Sequence, residues 1–286
     1  MEQKWEIIEP RYRAYLLTRK RSISTTKSYI YNVRLFARWC VDHGIVTTQA
    51  ATEEVELYLL GLAEKLSTNT IPLRLACLRA FFGYCVSRNF CESNPTEGLS
   101  VMRDVLLPRR PFTITEINKL IAACTSERDQ AMIRLTYSAG LRISELIGLH
   151  SDDVDLKEGL IRVRGKGGKE RLLSPGLTAL RCLLPFLHGK DGVLWWAATA
   201  NPLTVERAKV NMARLGHRAH VEHAHWHRLR VTFANEALAA GVALEDLQVL
   251  MGHAHISTTI HYAGYTINSR ALDQMRRLNL GDRLVG

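Results

Sequence analysis

Helical spacing of apolar residues dominates this sequence and limits what it can fold into. In SISTTKSYIYNVRLFARWCVDHG, Ile30, Val33, Phe36 and Cys40 fall on one helix face, and the pattern stops at Gly44. The segments WEIIEPRYRAYLL, ATEEVELYLLGLAEKL and STNTIPLRLACLRAFFGYCVSRNF follow the same spacing. Because this periodicity is typical of amphipathic helices, the sequence predicts a mainly α fold that begins with a small helical bundle.

One segment, GLIRVRGKGGKERLL, breaks the helical pattern. Ile161 and Val163 alternate with Arg162 and Arg164, a Gly/Lys turn follows, and a second short apolar stretch comes after it. This arrangement predicts a β-hairpin inserted among helices. Helical patterns resume after the hairpin, and we predict that they continue to the C-terminus.

A non-periodic stretch divides the sequence into two parts. Periodicity is lost from about residue 93, and Pro108 and Pro111 indicate a linker. At 286 residues the chain is long enough for two domains with separate cores. We predict a helical domain over residues 1–107 that includes this linker, and a mixed, mostly helical domain with a small β-hairpin or sheet over residues 108–286, with a C-terminal tail from about residue 267.

Basic residues are in excess in both parts. Lys and Arg total 38 against 28 Asp and Glu, a formal net charge of +10. Residues 1–110 hold 16 basic and 11 acidic residues, which leaves 22 and 17 for residues 111–286, so each part carries +5. Nucleic acid is the commonest large anionic partner of a basic chain, and a membrane surface is the alternative.

Targeting and cysteine patterns favour a cytoplasmic protein. No apolar run approaches the roughly 20 residues that span a bilayer, and the N-terminal MEQKWEIIEPRYR has no signal-peptide pattern. The six cysteines form no CxxC pair, so we expect neither a disulfide framework nor a zinc site. For a partner that is DNA, the expected location is the cytoplasm, in association with the nucleoid.

Four local patterns contain residues suited to chemistry, although each has a structural explanation. Arg142 follows AGL at a helix–helix turn, where an arginine often caps or lies on the surface. Lys166 lies in GKGGK, whose residue types are ordinary in hairpin turns. His227 and Arg230 are one helical turn apart, which is also common on exposed faces. His253 follows Gly252 just past a predicted helix, which it could simply cap.

Taken together, these patterns resemble those of the tyrosine recombinase (phage integrase) family. The similarity rests on LTYSAGLRISELIGL, RVRGKGGKERLL, HRLRVTFANEALAAG and LMGHAHISTTIHYA in that order. It covers most of residues 110–265 and extends more weakly into the first part through STTKSYIYNVRLFARW, as in the two-domain Xer recombinases. The resemblance implies a SAM-like, core-binding N-terminal domain followed by the catalytic fold of tyrosine recombinases.

The resemblance also implies roles for individual residues. Arg142 and Arg230 become the two active-site arginines, which suit the extra charge that develops on the phosphate oxygens in the transition state. Lys166 becomes the acid for the leaving 5′ oxygen. Glu145, one turn after Arg142, matches an acidic position that orients other groups.

The remaining implied roles belong to histidine and tyrosine. His227 becomes the base that takes the tyrosine proton, since a tyrosine with a pKa of about 10 is mostly protonated at neutral pH. His253 becomes a hydrogen-bond donor to the phosphate, and Tyr262 the nucleophile. Tyr265 lies three residues further on and is the competing nucleophile. The family often has a histidine where this chain has Val231, a position that is not expected to be catalytic.

The histidine-rich segment HRAHVEHAHWH offers a metal site as an alternative function for that region. His217, His220, His223 and His225 precede His227 in a short stretch. Their spacings match no zinc pattern, and the chemistry implied by the resemblance uses no metal. We therefore expect no cofactor.

The resemblance implies a site-specific DNA recombinase. It would cleave and rejoin strands through a 3′-phosphotyrosyl intermediate and a Holliday junction, without ATP or metal. Four protomers would assemble on two duplex DNA sites and exchange a C-terminal segment, for which ALDQMRRLNLGDRL is the candidate, and an accessory DNA-binding protein is a further expected partner. A type IB topoisomerase and a non-catalytic DNA-binding accessory protein are the alternatives.

Overall fold

The protein has two compact units, residues 1–106 and residues 107–286. The fold is known from a computed structural model. The residues that the structure describes are 5–63, 70–101, 110–165, 168–188, 192–253, 255–256 and 258–260.

The first unit is helical, as its sequence predicted. Its described residues form the α-helices α1 Trp5–Thr18, α2 Ile23–Asp42, α3 Thr52–Ala63 and α4 Thr70–Ser87. The Ser22 side chain accepts a hydrogen bond from the backbone N–H of Thr25, which caps the start of α2. Pro10 lies inside α1, and Pro72 lies in the first turn of α4, where the missing N–H has no helical partner to lose.

Aromatic side chains fill the core of this unit. Phe81 on α4 is fully buried and contacts both Trp5 and Tyr12 of α1, with ring centroids 5.6 Å and 5.4 Å apart in edge-to-face geometry. Phe36 of α2 makes the same kind of contact with Phe82, at 6.0 Å. Edge-to-face pairs add to the stability that burial alone provides, so α4 is the element around which α1 and α2 pack.

The second unit is also mostly helical. Thr113 begins its first helix with a capping box, in which the Thr113 hydroxyl accepts from the Glu116 N–H and the Glu116 carboxylate accepts from the Thr113 N–H. The helix–helix turn predicted at AGL, just before Arg142, is confirmed, because Gly140 ends a helix with φ 62°. The helices are α5 Ile114–Ala122, α6 Glu127–Ala139, α7 Ile143–Ile147, α8 Leu177–Arg181, α9 Val205–Arg218, α10 Trp226–Ala239 and α11 Leu244–Met251.

The predicted hairpin is present as part of a small antiparallel sheet. Its strands are β2 Leu160–Arg164 and β3 Glu170–Leu173, and a two-residue strand, β1 Val154–Asp155, pairs with β2. The sequence did not predict β1, because two residues are too few to show alternation. The strand order is β1-β2-β3.

Helices follow the hairpin, as predicted, but the segment between α8 and α9 is irregular. The described residues there form a short 3₁₀ turn, Leu184–Phe186, and two isolated β-bridges, His150 with Val193 and Trp196 with Pro202. Trp195 is fully buried in this irregular segment and donates its indole N–H to the Leu146 carbonyl.

In the described part of the chain, no helix has the length and apolar character needed to cross a membrane.

Candidate active site

Arg142 lies at the sharp turn between α6 and α7. Gly140 reverses the chain in the left-handed conformation, and Arg142 then occupies the N-cap position of α7. The Glu145 carboxylate, one turn into α7, accepts hydrogen bonds from the Arg142 backbone N–H at 2.8 Å and from its guanidinium Nη1 at 2.9 Å. This local pair fixes the direction of the Arg142 side chain, 37% of which is exposed.

Glu145 is the buried centre of a larger group of arginines. Its side chain is only 5% exposed, and it also accepts two parallel hydrogen bonds from Arg171 on β3, at 3.0 Å and 2.9 Å. The guanidinium of Arg230 on α10 lies 3.8 Å away. Burial by itself would raise the pKa of Glu145, but hydrogen bonds from Arg171 and Arg142 hold that pKa below its usual value. Glu145 is therefore ionised at neutral pH.

The C-terminal turn of α11 supplies three successive carbonyl oxygens to the same three arginines. Arg171 Nε donates to Leu250 at 2.8 Å, Arg230 Nη2 donates to Met251, and Arg142 Nη2 donates to Gly252 at 3.0 Å. The last carbonyls of a helix have no partner within the helix and carry its negative dipole end. They are therefore suitable acceptors for guanidinium groups.

Arg230 and His253 meet inside this group. Arg230 is fully buried, and besides Met251 it donates to the carbonyl of Gly140. Its Nη2 lies 2.9 Å from Nε2 of His253. Since a guanidinium group can only donate, Nε2 of His253 is the acceptor in this contact.

The protonation state of His253 follows from its second contact. With Nε2 accepting, Nδ1 carries the ring proton and donates it to the Thr259 hydroxyl at 2.9 Å. Burial, together with the positive charges of Arg230, Arg142 and Arg171, lowers the pKa of His253 to about 3. The imidazole is therefore neutral at physiological pH, and its ring proton is directed at Thr259.

His227 lies on α10, one helical turn before Arg230. It is half-buried, and its ring stacks against that of His225 with centroids 6.2 Å apart. His225 caps α10, since its Nδ1 accepts a hydrogen bond from the Arg228 N–H. The segment that looked like a histidine cluster thus provides the start of α10.

Arg228, between His227 and Arg230, anchors the same helix. It is 7% exposed and donates to the Glu116 carboxylate at 3.0 Å and to the carbonyls of Arg110 and Glu222. Its guanidinium also lies over the Phe112 ring, 4.0 Å from the centroid. These contacts fix the helix that carries His227 and Arg230 against the beginning of the second unit.

The structure brings together Arg142, Arg230 and His253 of the predicted site residues, with Glu145 at their centre. It places His227 on the helix of Arg230. Lys166, Tyr262, Tyr265 and the segment ALDQMRRLNLGDRL lie outside the described residues.

Arg171 was missed from the sequence, although a signal was present. The hairpin register pairs Arg171 with Val163 and Leu173 with Ile161, and both Val163 and Ile161 are fully buried. Residues that face each other across an antiparallel pair point to the same side of the sheet. A prediction of register as well as of the hairpin would have turned Arg171 towards the interior.

The histidine-rich segment does not form a metal site in the part of the chain that the structure describes. Among those residues, no group of three or more His, Cys, Asp or Glu side chains is arranged to hold a metal ion. His220 and His223 both adopt positive φ angles, 52° and 51°, in the turns between α9 and α10.

The geometry suits recognition of a tetrahedral or trigonal-bipyramidal oxyanion. Three guanidinium groups surround one carboxylate, that of Glu145, so the group carries an excess of positive charge. Planar guanidinium groups with several N–H donors match pairs of phosphate oxygens. The exposed part of Arg142 gives such an anion a point of entry.

Comparison with known families matches both parts of the chain. The phage integrase family model matches residues 110–268, and the model for the phage integrase N-terminal SAM-like domain matches residues 10–92. The chain is 32% identical over 259 residues to the tyrosine recombinase XerC of Actinobacillus succinogenes. The alignment covers 86% of this chain and 88% of that relative. It is 34% identical over 208 residues to XerC of Yersinia pestis, 69% of each protein.

Solved structures match the fold. The Tn1549 transposon integrase in complex with a circular intermediate DNA aligns with a TM-score of 0.73 at 20% identity, over 95% of this chain and 99% of that one. A lambda integrase dimer bound to a COC′ core site aligns with a TM-score of 0.73 at 16% identity. This alignment covers 91% of this chain and 77% of the lambda integrase chain. At these identities the likeness establishes the common fold.

Proposed function

Since the chain belongs to the phage integrase family of tyrosine recombinases, we propose that this site-specific DNA recombinase cleaves and rejoins DNA through a 3′-phosphotyrosyl intermediate and a Holliday junction. Arg142, Lys166, His227, Arg230, His253 and Tyr262 are the proposed active-site residues. The proposal requires neither ATP nor a metal ion.

One observation carries this proposal. Arg142 and Arg230 are 88 residues apart in sequence, and both guanidinium groups lie at Glu145 and at the C-terminal turn of α11. Two guanidinium groups in one site are what a phosphodiester needs as it gains charge on its non-bridging oxygens. Surface arginines with unrelated roles would have no reason to share one buried carboxylate.

The proposed cleavage step balances as a transesterification. The Tyr262 phenol oxygen attacks phosphorus, its proton passes to His227, and the bond from phosphorus to the 5′ oxygen breaks. Lys166 supplies the proton that the departing 5′ oxygen takes up. Because one phosphodiester replaces another, attack by a 5′-hydroxyl on the phosphotyrosyl bond reverses the reaction and can join a different strand.

The hydrogen bonds of His253 add a condition to its role. Nε2 accepts from Arg230 and Nδ1 donates to Thr259, so in this arrangement His253 orients Arg230. Donation to a phosphate, which the family resemblance implies, requires a change in one of these bonds when DNA binds: either Nδ1 releases Thr259, or Nε2 gains a proton and releases Arg230. The two roles therefore belong to two states of the site.

DNA and further protomers are the proposed partners. The charge of +5 on residues 1–110 and again on residues 111–286 favours phosphate contacts from both units, so that binding should weaken as salt increases. By analogy with the family, unit 1 is the core-binding domain, four protomers assemble on two sites, and the segment ALDQMRRLNLGDRL is exchanged between neighbours. An accessory DNA-binding protein is an additional proposed partner.

The first experiment is to trap and map the covalent complex. The full chain is incubated with fragments of genomic DNA that flank its gene, the reaction is denatured, and DNA that stays attached to protein is sequenced. The mapped site is then made as a duplex with a nick just beyond the cleavage position, so that the short 5′ fragment diffuses away and the complex accumulates. We expect the wild-type protein to form a protein–DNA adduct. Failure to form an adduct with any of the DNA fragments would contradict the proposal.

Tyrosine variants identify the nucleophile on the same duplex. Tyr262→Phe should abolish the adduct, whereas Tyr265→Phe is the matched control and should retain it. The reverse result would assign the nucleophile to Tyr265. An adduct that survives both changes would exclude a phosphotyrosyl link at either position.

A plasmid with two copies of the mapped site separates recombination from the topoisomerase alternative. The proposal predicts deletion or inversion products between the sites. Relaxation of supercoils by the same protein without any recombinant product would favour a type IB topoisomerase.

A further inference from the structure

Arg171 makes more contacts to the candidate active site than its position in the hairpin suggested. It lies on β3, its side chain is 10% exposed, and all three of its nitrogens donate. Nε donates to the Leu250 carbonyl at 2.8 Å, and Nη1 and Nη2 donate to the two oxygens of Glu145 at 3.0 Å and 2.9 Å. Arg171 therefore joins β3, α7 and the end of α11.

We propose that Arg171 is a positioning residue for the strand-cleavage reaction. It holds the Glu145 carboxylate and the C-terminal turn of α11 in the arrangement that directs Arg142 at the phosphate. The inference rests on the proposed function, because it assumes that Arg142 contacts the reacting phosphate.

The geometry of Glu145 shows why this contact matters for Arg142. Each Glu145 oxygen accepts from Arg171 and also from Arg142, through the Arg142 guanidinium at one oxygen and the Arg142 backbone N–H at the other. Without Arg171, the carboxylate could rotate to follow the flexible Arg142 side chain. With Arg171 bound in a bidentate manner, the carboxylate plane is fixed, and Arg142 must adapt to it.

Gly252 connects the same arginine to the second anchor of Arg142. The Gly252 carbonyl accepts from Arg142, and the Arg171 guanidinium lies beside Gly252, since a Cβ added to that residue would be 3.0 Å from Nη1. Arg171 thus binds one group that orients Arg142, the Glu145 carboxylate, and holds the helix turn that carries the other through its bond to the Leu250 carbonyl. A shift of about 1 Å in such groups can lower a rate about 100-fold.

Lysine cannot reproduce these contacts. One ammonium nitrogen cannot reach two carboxylate oxygens in the parallel bidentate geometry and also a carbonyl on the opposite side. Arg171→Lys therefore keeps the positive charge and removes the geometry. Arg164→Met is the matched control, since it removes a charge from the same hairpin at a side chain that is 53% exposed. Arg164 pairs with the exposed Glu170 and with the buried Asp153, and Asp153 keeps Arg162 as a second partner when Arg164 is replaced.

The test uses the nicked duplex defined by the mapping experiment and the full-length protein. We expect Arg171→Lys and Arg171→Met to lower the single-turnover rate of adduct formation by up to about 100-fold, and by at least about 10-fold, while the dissociation constant for the duplex stays within about threefold of the wild type. Arg164→Met should keep a rate within about twofold. If Arg171→Lys cleaves as fast as Arg164→Met, the proposal is overturned, even if Arg171→Met does not fold.

A sulfur-substituted duplex distinguishes positioning of Arg142 from an effect on the leaving group. When sulfur replaces the bridging 5′ oxygen, the departing thiolate needs no acid, since thiols have a pKa of about 8.5. We expect Arg171→Lys to show the same rate loss with the oxygen and sulfur duplexes. Loss of the defect with sulfur would assign Arg171 to leaving-group protonation and refute its action through Glu145.

The outcome also separates this inference from the proposed function. A wild-type protein that forms no adduct contradicts the function itself. A wild type that forms the adduct, with Arg171→Lys equally active, contradicts only the positioning role.

Discussion

Replacement of Glu145 by glutamine tests whether one buried carboxylate organises the arginines. Glutamine keeps the shape of glutamate but loses the charge, and its amide NH₂ is a donor where the carboxylate oxygen accepted. At least one guanidinium donor of Arg171 or Arg142 would then face another donor. The arginines would keep their positive charges without the anion between them.

The expected loss of stability follows from the burial of the partners. Removing one member of a buried ion pair typically costs about 3–5 kcal/mol, whereas an exposed pair contributes about 0–1 kcal/mol. The side chains of Glu145 and Arg171 are 5% and 10% exposed, but that of Arg142 is 37% exposed. We assign the main cost to the Arg171 pair and expect Glu145→Gln to lower the free energy of unfolding by about 3 kcal/mol.

The assay is denaturant unfolding of the full chain, followed by hydrogen–deuterium exchange so that peptides of the second unit report separately from those of the first. Glu170→Gln is the matched control on the same hairpin, because Glu170 pairs with Arg164 and both side chains are about half exposed. The control should lose no more than about 1 kcal/mol. If the free energies of unfolding of Glu145→Gln and Glu170→Gln differ by less than about 1 kcal/mol, which is roughly the value of a surface ion pair, the argument from burial is refuted.

The difference in the free energy of unfolding between the wild type and Glu145→Gln should also depend on pH, which provides a second check. The pKa of Glu145 is held below 4.5 in the folded protein. A lowered carboxyl pKa stabilises the fold fully above the unfolded value, and this stabilisation is lost as the pH falls through the folded value. The difference between wild type and Glu145→Gln should therefore be constant near neutral pH and shrink in acid below pH 4.5.

Two further changes test the elements around this group. Gly140→Ala adds a Cβ 2.3 Å from the Phe233 ring, at a residue with φ 62°. In denaturant unfolding it should destabilise the second unit by more than Gly241→Ala, because Gly241 also has a positive φ, 98°, but has open space around its Cβ. Equal losses would show that the Phe233 side chain moves aside. The pKa of His253 falls from 6.5 to about 3 on folding, so wild-type stability should rise with pH over that interval, by up to about 1.4 kcal/mol per unit from this group. In urea titrations at several pH values, the free energy of unfolding of His253→Asn should rise less steeply with pH than that of the wild type. An unchanged dependence on pH would refute the burial of a neutral imidazole.

Local sequence patterns predicted the elements but only part of the contacts between them. The helices, the glycine break at Gly140 and the hairpin were all visible, since each depends on periodicity or on a residue that permits a special backbone angle. Arg142, Arg230 and His253 were selected through the family resemblance, and the structure brings them together. Periodicity alone gave no reason for that convergence.

The features that the sequence did not predict depend on tertiary contacts. The neutral state of His253 follows from burial beside three arginines, which come from three different elements. The exposed Leu172 and the inward Arg171 of β3 reverse the usual assignment of apolar residues to the interior. That reversal is stable only because Glu145 and the Leu250 carbonyl are already present on the inner side.

The end of α11 explains why the arginines and His253 form one group. Gly252 closes the helix with φ 60°, which leaves the last carbonyls without helical partners, and the chain continues directly into His253. The same turn therefore supplies an acceptor to each arginine and positions the imidazole beside Arg230. Loss of one arginine removes one donor from this turn, whereas a change that displaces the turn moves all three acceptors and His253 together. The position of α11 is thus the structural variable on which the whole group depends.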